Sequence, residues 1–191
     1  TPAGTRQAMR EKLGLAQEDV ALIYPAEFSG RKNQAMLLRA MPLLPRQVKL
    51  ILPGTGALLG QCRAMADALG TAERVIFPEF VNNIPQWLAA ADIAVSASRS
   101  EGLPFNVMEA MAAGLPVIAT RCGGPEKFVT EKNGILVPVD DTNALVDAME
   151  HMMVCRNEYD GATIAAEAKE RFSPEKIAAQ LTAVYEEVVS C

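Results

Sequence analysis

Short apolar runs recur along the chain and alternate with longer stretches in which apolar positions follow helical spacing. Each run is bounded by charged or turn-forming residues, a pattern typical of strands buried on both faces of a sheet. The predicted strands are 20–24, 48–52, 74–77, 93–95, 116–119 and 133–137. Because strands and helices alternate throughout, we expect an α/β fold. It is a doubly wound parallel sheet (Rossmann-like) of six strands with flanking helices, forming a single domain over residues 1–191.

Helical spacing is clear near both ends of the chain. Residues 5–15 are amphipathic, with Met9 and Leu13 facing inward, and the helix that begins after Ser173 carries one apolar stripe. The stripe consists of Ile177, Leu181, Val184, Tyr185 and Val188. The other predicted helices are 33–44, 85–90, 126–129, 143–155 (capped by residues 140–142), 158–171 and one that starts near Pro104 and ends at Gly114.

The loop and helix between the fourth and fifth predicted strands carry two carboxylates and a candidate anion site. Proline is favoured at the first helical position, so we expect Pro104 to start the helix, with Glu101 in the loop before it and Glu109 inside it. The free amides of Phe105 and Asn106, at the positive end of the helix dipole, suit a phosphate. Two carboxylates suit hydroxyl groups on either side of that anion. Together they predict a nucleotide sugar, with a diphosphate between ribose and sugar hydroxyls.

The same segment resembles a known motif. Residues 101–109 read EGLPFNVME, followed by AMAAGLPVIAT and then by Gly123 and Gly124. This run resembles the E-x7-E region of retaining glycosyltransferases with the two-domain GT-B fold, in the family called group 1 or glycosyltransferase family 4. The resemblance implies that the chain is the C-terminal, donor-binding half of such an enzyme. It also implies an N-terminal acceptor domain, absent from this chain, which the last helix would brace.

The resemblance further implies transfer of a hexose, with retained configuration, from a nucleoside diphosphate donor to a glycan or lipid-linked acceptor. A UDP-sugar is the favoured donor, and we expect the fragment to be inactive alone. Glu101 is the expected catalytic residue, holding sugar hydroxyls and favouring an oxocarbenium-like transition state, and Glu109 is expected to hold the ribose. The expected donor-binding residues are Lys32, Arg31, Gly102, Leu103, Phe105, Asn106, Glu109 and, near the nucleobase, Val81.

The family commonly directs an Arg and a Lys at the donor phosphates, at the positions of Glu27 and Lys32. Here the Lys is kept and Glu27 replaces the Arg, so Arg31 supplies the second charge only if its loop turns it inward. No D-x-D sequence and no cluster of His, Cys and Asp with ligand spacing occurs, so we expect neither a metal nor another cofactor. Lys32 and the helix amides are then expected to stabilise the leaving diphosphate.

Two other functions fit part of the sequence. A non-catalytic nucleotide-sugar-binding module is supported by Glu27 and opposed by the intact pair of motif glutamates. An NAD-binding Rossmann domain would use Gly54, Gly56 and Gly60 as a dinucleotide fingerprint, although a structural turn is the more common role of such glycines. The later pair at 123–124 is equally compatible with a close approach to a ligand and with a simple turn.

Composition narrows the possible partners and compartment. Half of the 191 residues are hydrophobic, the net charge is −5, and no basic stripe occurs, which argues against nucleic acid. Cys62, Cys122, Cys155 and Cys191 form no C-x-x-C pair and are expected to be free thiols in a reducing compartment. No transmembrane segment or signal peptide is recognisable, so we expect a cytoplasmic protein, which the missing domain can bring to the inner face of the membrane. The single histidine, His151, is expected to have a surface or packing role.

Overall fold

The structure, a computed structural model, describes residues 4–189. The strands are β1 Val20–Ile23, β2 Val48–Pro53, β3 Val75–Glu79, β4 Ile93–Ser96, β5 Val117–Thr120 and β6 Gly134–Val137. The helices are α1 Thr5–Lys12, α2 Gln34–Ala40, α3 Leu59–Ala68, α4 Ile84–Ala90, α5 Phe105–Ala112, α6 Thr142–Cys155, α7 Gly161–Phe172 and α8 Pro174–Val189. All six predicted strands are therefore confirmed, with bounds that agree to within two residues.

The predicted helices were longer than the observed ones in four places, the first of them the helix predicted over 5–15, which ends at Lys12. The helix predicted over 33–44 ends at Ala40 and continues as a 3₁₀ turn, Met41–Leu43. The segment predicted as a helix over 126–129 is only a 3₁₀ turn, Pro125–Lys127. The helix predicted from 158 begins at Gly161, where the Asp160 carboxylate caps it by accepting the Ala162 N–H. Such ends are decided by turn geometry and caps rather than by hydrophobic spacing, which is why the pattern misplaces them.

The six strands form one parallel sheet in the order β3-β2-β1-β4-β5-β6. Successive side chains of a strand point to opposite faces, so the sheet feeds two hydrophobic layers. In β1, Leu22 packs in the layer under α2, α3 and α6, whereas Ala21 and Ile23 pack in the layer under α4, α5 and α7. The chain is thus doubly wound, as predicted, and the loops that follow the strands share one edge of the sheet.

Helix α1 is fastened to the end of α4 by two arginines. Arg10 donates to the carbonyl of Ala90 at 3.2 Å and to Asp92 at 3.2 Å, and also to the carbonyls of Ala16 and Asp19. Arg6 donates to the carbonyl of Ala91 at 2.6 Å and pairs with Asp92 at 2.7 Å. Cations near a helix C-terminus satisfy its unpaired carbonyls and complement its dipole. The linker before β1 is therefore held on the sheet by charge as well as by Met9.

Helix α5 begins one residue later than predicted. Pro104 is the N-cap, with φ −78° and ψ 89°, and the first helical residue is Phe105. The Pro104 carbonyl accepts from Val107 and Met108, so the amides of Phe105 and Asn106 have no carbonyl of their own helix to bind. At the other end Gly114 has a φ of +82°, the left-handed conformation predicted for it.

The last helix leaves its apolar stripe uncovered. No side chain of α8 is buried, and Leu181, Val184 and Tyr185 are each more than half exposed. Within the described residues, the helix packs against α7. Among residues 4–189, no helix is long and apolar enough to cross a membrane. Three of the four cysteines are free thiols, as predicted, and the fourth, Cys191, lies outside the described residues.

Candidate functional site

A cluster of opposite charges lies where the loops after β1 and β4 meet. The Glu101 side chain is 7% exposed, and its Oε1 atom lies 2.6 Å from Lys32 Nζ and 2.9 Å from Arg31 Nη1. Lys32 is largely buried, whereas Arg31 is half exposed. The structure therefore brings Glu101 to two adjacent residues that lie 69 and 70 positions before it in the chain, and Arg31 does turn inward.

The Ser98 hydroxyl holds this carboxylate, and the Tyr24 hydroxyl in turn contacts Ser98. Ser98 Oγ donates to Glu101 Oε1 at 2.7 Å and lies 2.7 Å from the Tyr24 hydroxyl. Tyr24 is fully buried, and its hydroxyl also donates to the carbonyl of Lys32 at 3.1 Å. Burial raises the pKa of Tyr24, so its hydroxyl stays protonated and available as a donor. Both hydroxyls were absent from the sequence-based predictions, although Ser98 stands three residues before the glutamate.

The Glu101 carboxylate is charged at neutral pH for a specific reason. Burial acts to raise its pKa, but hydrogen bonds from Lys32 and Ser98, and the charges of Lys32 and Arg31, outweigh that effect and hold the pKa below its usual range. A buried carboxylate is stabilised by such donors, and it balances one of the two positive charges in return. The cluster of Lys32, Arg31 and Glu101 thus keeps a net charge of about +1.

The backbone of the same loop is fixed by the turn after β5. The Glu101 N–H donates to the Cys122 carbonyl at 3.0 Å, and the Gly124 N–H donates to the Glu101 carbonyl at 2.6 Å. A Cβ on Gly124 would lie 2.7 Å from both the Gly102 carbonyl oxygen and Pro104 Cδ, so a side chain cannot be accommodated there. The pair at 123–124 therefore permits a close approach between two loops of the protein.

A second network outside the cluster holds the loop that carries Lys32. Arg99 donates its N–H to the Arg31 carbonyl at 2.8 Å and a guanidinium N–H to the Gly30 carbonyl at 2.6 Å. Its guanidinium also pairs with Asp140 at 2.8 Å, and Asp140 accepts from Asn33 at 2.9 Å. Pairing with Arg99 lowers the pKa of Asp140. Spacing predicted Asp140 as part of a helix cap, but Asp141 alone caps α6, by accepting the Ala144 N–H.

The second motif glutamate stands apart from the first. Glu109 is exposed, and its carboxylate makes no hydrogen bond or ion pair with the described residues. Partial desolvation raises the pKa of Glu109. Near the start of the same helix, Asn106 Oδ1 is buried without a hydrogen-bond partner in residues 4–189. Phe105 and Leu103 are largely exposed, as is Gly102. The side of the site formed by α5 and the loop before it is therefore exposed to solvent, and it carries polar atoms that have no hydrogen-bond partner among the described residues.

The remaining predicted positions lie on neighbouring loops. Val81 is half-buried in the loop after β3, beside Phe80, which is 73% exposed. Glu27 is exposed, and its carboxylate has no ion-pair partner within the described part of the chain. It therefore takes no part in the cluster formed by Lys32, Arg31 and Glu101. His151 is exposed on α6, in line with the surface role predicted for it.

The glycines after β2 serve the fold. Gly54 and Gly56 have φ values of +147° and +148°, and a Cβ on either would lie within 2.5 Å of the β1 loop, at Ala26 or Phe28. The two loops are joined by backbone hydrogen bonds, including one from Phe28 N–H to the Thr55 carbonyl at 2.8 Å. These are structural turn glycines, the more common of the two roles that their spacing allowed.

Two further observations concern ligands. A cavity of about 750 Å³ lies along the edge strand β6; its lining includes His151 and Cys155 but none of Lys32, Arg31 and Glu101. Among residues 4–189, no three His, Cys, Asp or Glu side chains are placed to hold a metal ion.

The strand order defines the class of protein. In a sheet of order 3-2-1-4-5-6, successive strands are added first on one side of β1 and then on the other, so the strand order reverses between β1 and β4, and ligands bind in the crevice at the carboxyl ends of those strands. Lys32 follows β1 and Glu101 follows β4, so the cluster lies at this crevice. The architecture is that of a nucleotide-binding α/β domain.

The family follows from comparison with known proteins. Residues 19–154 match the family model Glycosyl transferases group 1, and the chain belongs to that family. It is 35% identical over 151 residues to the putative glycosyltransferase EpsD of Bacillus subtilis, covering 77% of this chain and 40% of that protein. It is also 35% identical over 161 residues to a GDP-mannose-dependent phosphatidylinositol monomannoside mannosyltransferase of Mycolicibacterium smegmatis, covering 78% and 42%. The chain thus spans about two fifths of the length of these relatives.

Solved structures agree with the fold and the family. The crystal structure of Anabaena HepE in complex with UDP superposes with a TM-score of 0.91 at 26% identity, covering 98% of this chain and 54% of HepE. The HepE complex with UDP-glucose gives a TM-score of 0.88 at 27% identity, with coverage of 98% and 54%. The predicted Rossmann-like fold and the resemblance to group 1 glycosyltransferases are confirmed, and none of these comparisons favours an NAD-binding domain.

Proposed function

We propose that this chain is the donor-binding half of a retaining glycosyltransferase that moves a hexose from a nucleoside diphosphate sugar, UDP-linked in the first instance, to a glycan or lipid-linked acceptor. The observation that carries the proposal is the cluster of Lys32, Arg31 and Glu101 at the crevice between β1 and β4. The similarity of the chain to HepE, which is known in complex with UDP and with UDP-glucose, supports the choice of donor.

The diphosphate is assigned to the two cations and the start of α5. A lysine side chain carries three N–H donors and an arginine side chain five, so Lys32 and Arg31 can bind several phosphate oxygens. The amides of Phe105 and Asn106 add the positive end of the helix dipole. Donors aimed at the oxygens where charge develops stabilise the departing diphosphate without a metal ion. Arg31 takes the role that the family commonly gives to an Arg at the position of Glu27, since Glu27 is exposed and forms no ion pair with the described residues.

The sugar and the nucleoside are assigned to opposite sides of these phosphates. Glu101 accepts hydrogen bonds from sugar hydroxyls and, as an anion, favours positive charge on the ring as the bond from the anomeric carbon to the diphosphate oxygen breaks. Glu109, exposed and without a partner among the described residues, accepts from the ribose hydroxyls. The backbone at Gly102 and Leu103 borders the phosphates, and that at Val81 borders the nucleobase.

The acceptor belongs to a second domain. The relatives that this chain matches are more than twice as long as the matched part, and the apolar stripe of α8 is exposed. We assign that stripe to contact with an N-terminal acceptor domain, which positions the acceptor hydroxyl that attacks the anomeric carbon. The proposal places the enzyme in the cytoplasm, where this second domain reaches membrane-linked acceptors.

Calorimetric titration of the chain with UDP, GDP, ADP and NAD tests the donor site. We expect saturable binding of one nucleoside diphosphate and none of NAD. Lys32→Ala should weaken the diphosphate much more than the matching nucleoside, because phosphate is the only part of the ligand assigned to this lysine. Lys132→Ala, which removes an exposed lysine from a different loop, is the control and should leave binding unchanged. Equal losses for diphosphate and nucleoside would place Lys32 away from the phosphates, and absence of all nucleotide binding would refute the proposal.

A further inference from the structure

Three groups approach the same oxygen of Glu101: Lys32 and Ser98 donate hydrogen bonds to it, and Arg31, whose Nη1 donates to the Ser100 carbonyl, forms an ion pair with it. Lys32 Nζ, Arg31 Nη1 and Ser98 Oγ lie 2.6, 2.9 and 2.7 Å from Oε1. The other oxygen, Oε2, accepts no hydrogen bond from residues 4–189. The carboxylate therefore presents two unlike atoms, one already occupied by the cations assigned to the diphosphate and one available to a further donor.

The carboxylate of Glu101 and a bound diphosphate would compete for the same two cations, Lys32 and Arg31. A phosphate that binds Lys32 and Arg31 adds a second anion to cations that already pair with Oε1, so the positive charge and the N–H groups of the two cations are shared between the two anions. Arg31 is half exposed and can turn from one anion to the other, whereas Ser98 and the buried Tyr24 keep Glu101 in place. A bare nucleoside diphosphate thus leaves a largely buried carboxylate with fewer partners, which is costly.

A nucleotide sugar changes that balance. Its sugar hydroxyls can donate to the open Oε2 atom while its phosphates draw the cations away from Oε1. The loss of one set of donors is then offset by another, and the carboxylate stays hydrogen-bonded throughout. The bare diphosphate that remains after transfer has no sugar hydroxyls to offer.

From this geometry, and resting on the proposed donor site, we propose that Glu101 is a specificity-determining residue that makes the site prefer the intact nucleotide sugar over the nucleoside diphosphate product. It does so by competing with the product for Lys32 and Arg31. The same competition speeds release of the product and keeps the empty site free of other phosphates.

Replacement of the carboxylate by an amide tests the competition. Glu101→Gln should bind UDP and inorganic pyrophosphate about tenfold more tightly than the wild-type chain in calorimetric titrations. The preference for UDP-glucose over UDP should fall by a similar factor. GDP and GDP-mannose serve as the probes if the chain binds guanine nucleotides. Unchanged or weaker binding of the diphosphate by Glu101→Gln would overturn the proposal.

A matched control separates competition from general charge. Glu126→Gln removes the same charge from the turn after β5, where Glu126 accepts only the Gly123 N–H and pairs with no cation in the described chain. It should change UDP affinity by less than about twofold, since it leaves Lys32 and Arg31 engaged as before. An equal gain in Glu126→Gln would mean that net charge alone explains the effect, and the proposal would fail.

A second variant keeps the test valid if Glu101→Gln folds poorly. Arg31 is half exposed, so Arg31→Gln should fold normally, and a double-mutant cycle then measures its coupling to Glu101 in UDP binding. We expect Arg31→Gln to weaken UDP binding more in the Glu101→Gln background than in the wild type. Equal losses in both backgrounds would contradict competition. If the wild-type chain binds no nucleotide at all, the proposed function fails instead, which is a distinguishable result.

Discussion

The residues of the site differ in how many hydrogen bonds and ion pairs they make with the rest of the protein. Glu101 is surrounded by donors, so its loss affects folding and ligand binding together, whereas Glu109 is exposed and has no partner in the described chain. A residue with no protein partner contributes little to stability and is available to a ligand. The two motif glutamates are therefore separable by experiment.

At this scale we predict that Glu109→Gln weakens nucleotide binding by roughly 1–3 kcal/mol, the cost of a lost charge-assisted hydrogen bond. Its melting temperature should stay close to that of the wild type, since the carboxylate makes no contact that folding depends on. Calorimetric titration and thermal unfolding of the same samples give both numbers. Unchanged affinity together with a lower melting temperature would show that Glu109 has a structural role instead.

At the scale of elements, the position of α1 depends on one largely buried arginine. Arg10 is 11% exposed and joins the end of α4 to the linker, whereas Arg6 is 48% exposed and joins α4 and Asp92 only. We predict that Arg10→Met lowers the free energy of unfolding by roughly 2–4 kcal/mol, because it leaves buried carbonyls and Asp92 with fewer donors. Arg6→Met is the matched comparison and should cost clearly less. Urea unfolding of the two variants measures the difference, and equal losses would contradict this account of α1.

At the scale of the whole molecule, every assigned group lies at one edge of a single sheet. The chain is therefore expected to bind a nucleoside diphosphate but not to transfer the sugar by itself. Holding two reactants in register lowers the barrier by ~7–11 kcal/mol, and the proposed function assigns the acceptor to a second domain. A glycosyl-transfer assay with the nucleotide sugar that the chain binds and candidate acceptors should show no turnover. Robust multi-turnover transfer by residues 1–191 would show that one domain is sufficient.

Local sequence determined most of the secondary structure and part of the site. Apolar runs between turn residues are buried strands for a local reason, and all six were predicted with bounds close to those observed. The proline and glycine that flank α5 likewise act within a few residues, so its start was misplaced by only one position. The order of strands and helices was enough to place the ligand edge, because parallel strands share their carboxyl ends.

The tertiary structure decided which side chains meet at that edge. Lys32 and Glu101 are 69 residues apart and Asn33 and Asp140 are 107 apart, so no local pattern relates them. Loop conformations, such as the left-handed backbone at Asn33, direct these side chains, and the packing of α2 and α6 over one face of the sheet brings their loops together. The sequence alone therefore determined the kinds of groups present at the crevice. The order of the strands in the sheet and the conformations of the loops determined that Glu101 pairs with both cations.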